Sequence, residues 1–532
     1  MAIPQGTTSA AKPKRHGRRR HKHVWKDKHF RWVPDGKGDW RVQGYVFRHH
    51  HKPKRNHFRG PGKKPPRRSA PAAAPAAPRG SSLPPGAYQG PFGPEQALRL
   101  ANRAGFGPRP GDVERLVSLG LVGAVQSLTR PSGSASLNGP APVDDDGNPL
   151  APEDLWGHAH CWWLDRMVRS NQPLVERLTL IFHDWFATSN DTVNDWKLML
   201  GQNDLLRRHA LGSFRDLLLD ITHDPAMLIW LNGIDNTKYD PNENYAREVM
   251  ELFTLGADRG AYTEQDVRNL ARAFTGWRAS WVDGVGYTNF RYDANRHDTA
   301  NKTVFGKTGN YDWQGACDLC LNNSFHASHF VAKLWGYFVP TAIDEATQAT
   351  LQDLYVANGF AIKPVVRAIL RHPALYADSA LTKPPVVYTA GALRATQQFI
   401  TTTAWSWLDD GAGQFLFYPP NGAGWDDTRW LDTSSWRGRW DIASYVTNGQ
   451  NVDPWDDTHP YDPTEDAPTA LSRARAALGN PGLTAETQNA LLAFADGVLP
   501  SPLANWQKGP YRAMRQNALR MLILTCSDFQ TS

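Results

Sequence analysis

A chain of 532 residues, 41% of them hydrophobic, is long enough to bury a large core, and its 4 cysteines exclude a disulfide-dense scaffold. The net charge of +7 is unevenly spread: residues 1–69 hold 21 Lys and Arg against 3 Asp, so the remainder of the chain is acidic. No apolar run approaches the roughly 18 residues of a membrane span, and no apolar stretch follows the positive N-terminus as in an ordinary signal peptide.

Residues 1–68 read as a basic tail rich in His and aromatics. Within 28–48, HFRWV and DWRVQGYVF flank the turn-forming PDGKG, a pattern that predicts a β-hairpin. Cations interleaved with Trp, Tyr, Phe and His over residues 12–68 suit a polyanion: nucleic acid, an anionic envelope polymer or an anionic membrane surface. Residues 69–93 are rich in Ala and Pro and read as an extended linker.

From residue 94 to 532 the pattern is that of a mostly α, single large multi-helical domain. Apolar residues recur at helical spacing in 94–104, 110–120, 153–170, 172–187, 194–208 and onward to 508–526. Strand signals are sparse. The stretches 278–316 and 403–436 read as long loops, a length at which loops often hold function.

In LVERLTLIFHDWF, Glu176, Thr179 and His183 form one polar stripe on an apolar helix, which makes His183, with Asp184 beside it, a candidate metal ligand or acid/base. The segment 241–255 predicts a helix capped by Asp240 with Glu243 in a capping box and ended by Gly256. Thr263, with Asp266 three residues on, caps the next helix. On the first of these helices Glu243, Arg247 and Glu251 share a face as an ion-pair ladder. Glu248 and Glu251 are paired carboxylates that suit acid/base work or a hard cation.

In the loop NRHDTANK, His297 with Asp298 is the leading catalytic candidate, and Lys302 with Arg247 is a candidate for substrate binding. His183, Glu248 and His297 are candidate ligands of one divalent metal. In CDLCLNNSFHASH, Cys317, Cys320, His326 and His329 are the residue types of tetrahedral zinc, although a core helix can also use cysteine as a small apolar residue. The 21 Trp include Trp425 and Trp430 in YPPNGAGWDDTRW, which either pack a rigid loop or line a cleft for a ring-containing ligand. No phosphate-binding loop, dinucleotide fingerprint or nucleophile elbow stands in a suitable position, which argues against nucleotide-dependent chemistry and an α/β-hydrolase.

These blocks also carry a resemblance. NENYAREVMELFTLG followed by YTEQDVRNLARAFTGW resembles the signature of the bacterial domain-of-unknown-function family number 1800. ALRLANRAGFGPRPGDVERLVSLG, PLVERLTLIFHDWFATSNDTV and YPPNGAGWDDTRWLDTSSWRGRW resemble its other blocks over roughly residues 94–530. The resemblance implies a site shared among these blocks and a cell-envelope or exported setting, but no reaction. Two readings follow. The first is a hydrolase-like enzyme, metal-assisted or not, acting on a polar polymer such as an envelope glycan. His297, Glu248, Glu251, His183 and Asp298 would carry the chemistry, with Trp425 and Trp430 lining the cleft. The second is a non-catalytic surface or assembly protein that binds a protein or glycan partner.

Overall fold

The computed structural model describes residues 29–34, 40–46, 86–131, 133–450, 452, 465–499 and 502–532. The chain divides into two compact units, Met1–Gly80 and Ser81–Ser532. In the first, His29–Pro34 pairs antiparallel with Trp40–Val46, placing His29 opposite Val46 and Pro34 opposite Trp40. This is the hairpin the turn residues predict. The expectations for residues 1–28 and 47–85 lie outside the described residues.

The second unit is one large helical domain. Its helices form where the apolar spacing places them, as at Pro173–Trp185, Phe214–Thr222 and Ala485–Gly497. Thr263 caps Glu264–Ala273 in a complete capping box with Asp266. Gly256, at φ 87°, turns the chain out of the preceding helix in the left-handed region.

The start of that preceding helix differs from expectation. Asp240 is tied into a bridge with Thr237, and the helix begins at Asn244, whose N–H donates to the Asn242 side chain at 2.9 Å. The stretch 278–316 differs too. Trp277–Val282 pairs antiparallel with Gly286–Tyr292, and Lys302–Val304 with Lys307–Gly309, so regular structure replaces most of the expected loop. Likewise, 403–436 contains the helix Ala404–Gly411. Among the described residues no helix is long and apolar enough to cross a membrane.

Two apolar cores hold the domain together. One gathers Leu178, Ile181, Phe214, Phe253 and Phe330, and the other Trp163, Phe417, Leu393, Ile442 and Leu519. The helix Pro173–Trp185 serves both, since Leu180 belongs to the second while Leu178 and Trp185 belong to the first. It therefore runs along the seam between them, where the candidate site lies.

Candidate functional site

The polar stripe on the seam helix resolves residue by residue. Glu176 accepts from Arg207 Nε at 2.7 Å and Nη2 at 3.0 Å, and the Thr179 hydroxyl donates to the Val175 carbonyl at 2.8 Å. Glu176 is thus tied to the helix Trp196–His209, and Thr179 to its own helix backbone. His183 is different. Its ring packs against Trp163, Phe417 and Trp425 at centroid distances of 5.3, 5.6 and 5.5 Å, and its Nε2 has no partner among the described residues. Burial pulls its imidazole down to about 3, so the ring is neutral across the physiological range.

The signature helix opens as it proceeds. Asn244–Glu248 is α-helical, whereas Val249–Thr254 is a π-turn, in which the Leu255 N–H reaches back five residues to the Met250 carbonyl at 2.9 Å. A π-turn inserts one residue into the helical repeat and shifts everything beyond it around the axis. The expected ladder through Arg247 therefore ends early. Arg247 bonds Glu243 at 3.1 Å and Glu264 at 2.8 Å, and Glu251 is not among its ion-pair partners. Among the described residues the Glu248 carboxyl has no hydrogen-bond or ion-pair partner. Burial, and then the charge of Glu251, push it above the usual carboxylate range. Burial and then the same negative charge of Glu251 also raise the Tyr262 phenol to about 12.

The turn at residues 421–425 links these two helices. A side-chain carbon at Gly422 would stand 3.5 Å from Glu248 Oε2, and one at Gly424, where φ is 90°, would collide with the Asp184 carboxyl group. Glycine is thus required where the turn passes over Asp184. The next residue, Trp425, donates its backbone N–H to Asp184 Oδ1 at 2.9 Å, while the Tyr337 hydroxyl donates to Oδ2 at 2.6 Å. Burial raises Asp184 despite these two bonds.

Beyond Trp425 opens a cleft of about 890 Å³, whose lining includes Arg177, Asp184, Lys333, Tyr337, Trp425 and Trp430. Lys333 lies 4.6 Å from the Trp185 ring centroid and donates to the Leu252 carbonyl at 3.3 Å. Burial lowers it to about 8, with Asp184 opposing that shift.

The remaining candidates have other surroundings. His297 Nδ1 donates to the Thr275 carbonyl at 3.0 Å, and its ring lies 5.8 Å from Tyr292. Against the pull of burial, Arg272, bonded at 2.7 Å, holds Asp298 below the usual carboxylate range. Lys302 is buried, and its Nζ donates to the Asp298 carbonyl and, at 2.8 Å, to that of Tyr311. These three form a clasp between the end of the helix Glu264–Ala273 and the small hairpin after it. None of their hydrogen-bond partners is shared with His183, Glu248 or the cleft.

Cys317 and Cys320 are buried in the first core. His326 donates from Nδ1 to the Thr254 carbonyl and accepts at Nε2 from the Tyr355 hydroxyl, both at 3.0 Å, and His329 Nε2 donates to the Leu252 carbonyl at 3.2 Å. Both ring nitrogens of His326 are thus committed. Among the described residues, no three His, Cys, Asp or Glu side chains are grouped so as to hold a metal ion.

A family model described as a protein of unknown function, DUF1800, matches residues 99–531. The chain belongs to the DUF1800 family. No curated protein and no solved structure matches it.

In this DUF1800 chain, sequence reasoning located the seam helix, the signature helix and the Trp-rich turn, but it missed Arg177, Lys333 and Tyr337. A signal for them exists. Arg177, Leu180, Ile181 and Asp184 fall at i, i+3, i+4 and i+7, so a charged pair shares a face with core residues, and Lys333 and Tyr337 are four apart near the end of an apolar helix.

The neutral His183 supplies a pH prediction. Its folded pKa is depressed, so the stability contributed by the neutral ring is present above the unfolded value of 6.5 and is lost as pH falls toward about 3. His183→Phe removes this titration and keeps an aromatic among aromatics. Relative to wild type, the variant is expected to gain about 1.4 kcal/mol of stability per pH unit on acidification from pH 6 to pH 4. Urea unfolding across that range measures it, and parallel stability curves for the two proteins would count against a buried neutral imidazole.

Proposed function

We propose that this DUF1800 chain is a hydrolase that cleaves a polar, ring-containing polymer such as an envelope glycan. The polymer would lie in the cleft beside Trp425 and Trp430, and Glu248 and Glu251 would act as an acid/base pair. The observation that supports this most is the state of Glu248. Its carboxyl group is partly buried, lacks an ion-pair or hydrogen-bond partner among the described residues, feels the charge of Glu251 more strongly than that of Arg247, and abuts the turn that carries Trp425. A structural carboxylate is normally paired, and one whose pKa is raised by burial and a neighbouring charge suits a proton donor. In this reading protonated Glu248 delivers its proton to the leaving oxygen, and charged Glu251 accepts a proton from the attacking water, as in other two-carboxylate glycan cleavage. Asp184, gripped by Tyr337 and the Trp425 backbone, positions the indole.

The test is release of new reducing ends from cell-envelope glycans by the full chain. A general acid must be protonated, so turnover should fall on the alkaline side as Glu248 ionises. Glu251→Gln removes the like charge, and any residual alkaline limb should move to lower pH. Binding without any new reducing ends would favour the second reading, a glycan-binding surface protein. The ion-pair network of Glu243, Arg247, Glu264 and Arg268 supports that reading, because it ties two helices of the signature together.

A further inference from the structure

Arg177 is buried on the seam helix at 4% exposure, lines the cleft, and has no hydrogen-bond partner at Nε or Nη1 among the described residues. An unpaired guanidinium is expensive to bury, and proteins normally match it with a carboxylate or with carbonyls. Other buried arginines of this domain follow that rule: Arg169 grips Asp165 through two bonds of 2.7 Å, and Arg439 reaches the Trp430 and Lys383 carbonyls at 2.9 and 2.7 Å. Arg177 does not. The carboxyl groups that line the cleft, Asp184 and Asp427, form no hydrogen bond or ion pair with Arg177 among the described residues. Asp184 takes the Tyr337 hydroxyl and the Trp425 N–H, with Lys333 in its field, and Asp427 is exposed and near Tyr337. The titratable neighbour that acts on Arg177 is Tyr337, whose phenol is pushed by burial well above its ordinary value. Trp425 and Trp430 line the same space, and Trp430 Nε1 is also buried without a partner.

We propose that the cleft holds a carboxylate-bearing sugar, its carboxylate on Arg177 and its ring against Trp425 and Trp430, so that the polymer recognised is an acidic glycan. This inference rests on the glycan reading above and names the substrate class. A planar guanidinium matches a carboxylate in shape and charge, and indole faces suit the apolar faces of sugar rings. The unsatisfied donors also make the site selective, because a neutral sugar would leave the buried cation unpaired while an acidic one would not.

The probe is glucuronate, with glucose and inorganic phosphate beside it, titrated into the full chain and followed by tryptophan fluorescence and calorimetry. A monosaccharide limits multivalent capture by the basic tail, and the tail is the same in wild type and variant. Glucuronate is expected to bind at least about tenfold more tightly than glucose, and Arg177→Gln should reduce it to the level of glucose. The variant removes an uncompensated buried charge, so it is expected to fold. Thermal unfolding of the wild type supplies a readout independent of the variant, since its midpoint should rise with glucuronate and not with glucose. Equal affinity for the two sugars, tighter binding of phosphate than of glucuronate, unchanged glucuronate affinity in Arg177→Gln, or no rise in the midpoint would each overturn the proposal. Glu248→Gln separates this idea from the hydrolytic one, because it should lose turnover while binding glucuronate like wild type. Cleavage of neutral glycans without glucuronate binding would defeat the acidic-substrate inference alone.

Discussion

Glu248→Gln is expected to slow release of reducing ends by about 10²- to 10⁴-fold, the usual contribution of a positioned acid or base. Its thermal midpoint should stay level or rise. The two effects have one cause. The Glu248 carboxyl is raised in the fold by burial and by Glu251, so above its ordinary pKa the folded protein bears the cost of ionising it or of keeping it protonated. Glutamine keeps the shape, carries no charge, and removes that cost. A carboxylate in a structural network behaves oppositely: Asp298, held low by Arg272, should lose stability when replaced by Asn. The measurements are reducing-end kinetics and a thermal scan on both variants. A destabilised Glu248→Gln with full turnover per folded molecule would return Glu248 to the structural class.

The contrast between Glu248 and Asp298 shows what sequence could and could not supply. Helical periodicity is set by local spacing, so Pro173–Trp185 and Glu264–Ala273 were legible, as was the capping box at Thr263. The hairpin Trp277–Tyr292 was not, because its strands are only partly buried and show no clean alternation of apolar and polar residues. The π-turn at Val249–Thr254 carries no composition signal either. Its one-residue shift separates Arg247 from Glu251, and a ladder counted on an ideal helix cannot anticipate it. His297, Asp298 and Lys302 are the residue types of a catalytic loop, but here Thr275, Arg272 and backbone carbonyls satisfy them. Chemical type was visible in the sequence. Pairing depends on long-range contacts and was not.

The largest stability effect belongs to a pairing of that long-range kind. Asp409 and His160 are fully buried and 249 positions apart. The Leu416 N–H donates to His160 Nδ1 at 3.1 Å, which leaves Nε2 to carry the proton and donate to Asp409 Oδ2 at 2.9 Å, and the Thr389 hydroxyl donates to Oδ1 at 2.5 Å. Asp409 thus joins three helices, Ala404–Gly411, His158–Arg169 and Pro385–Ala395, and Leu416 leads directly into Phe417, which packs on His183. Asp409→Ala would strand two donors in a dry interior and open a cavity between the helices. We expect a loss of about 3–5 kcal/mol in urea unfolding at neutral pH. Asp409→Asn, which keeps one acceptor, should lose less. Because the network ends beside Phe417, the Asp409→Ala protein that remains folded should also show altered tryptophan fluorescence from Trp163 and Trp425, which pack on His183 with Phe417. A loss below about 1 kcal/mol would mean that water replaces the carboxylate as acceptor, and that the seam is hydrated rather than dry.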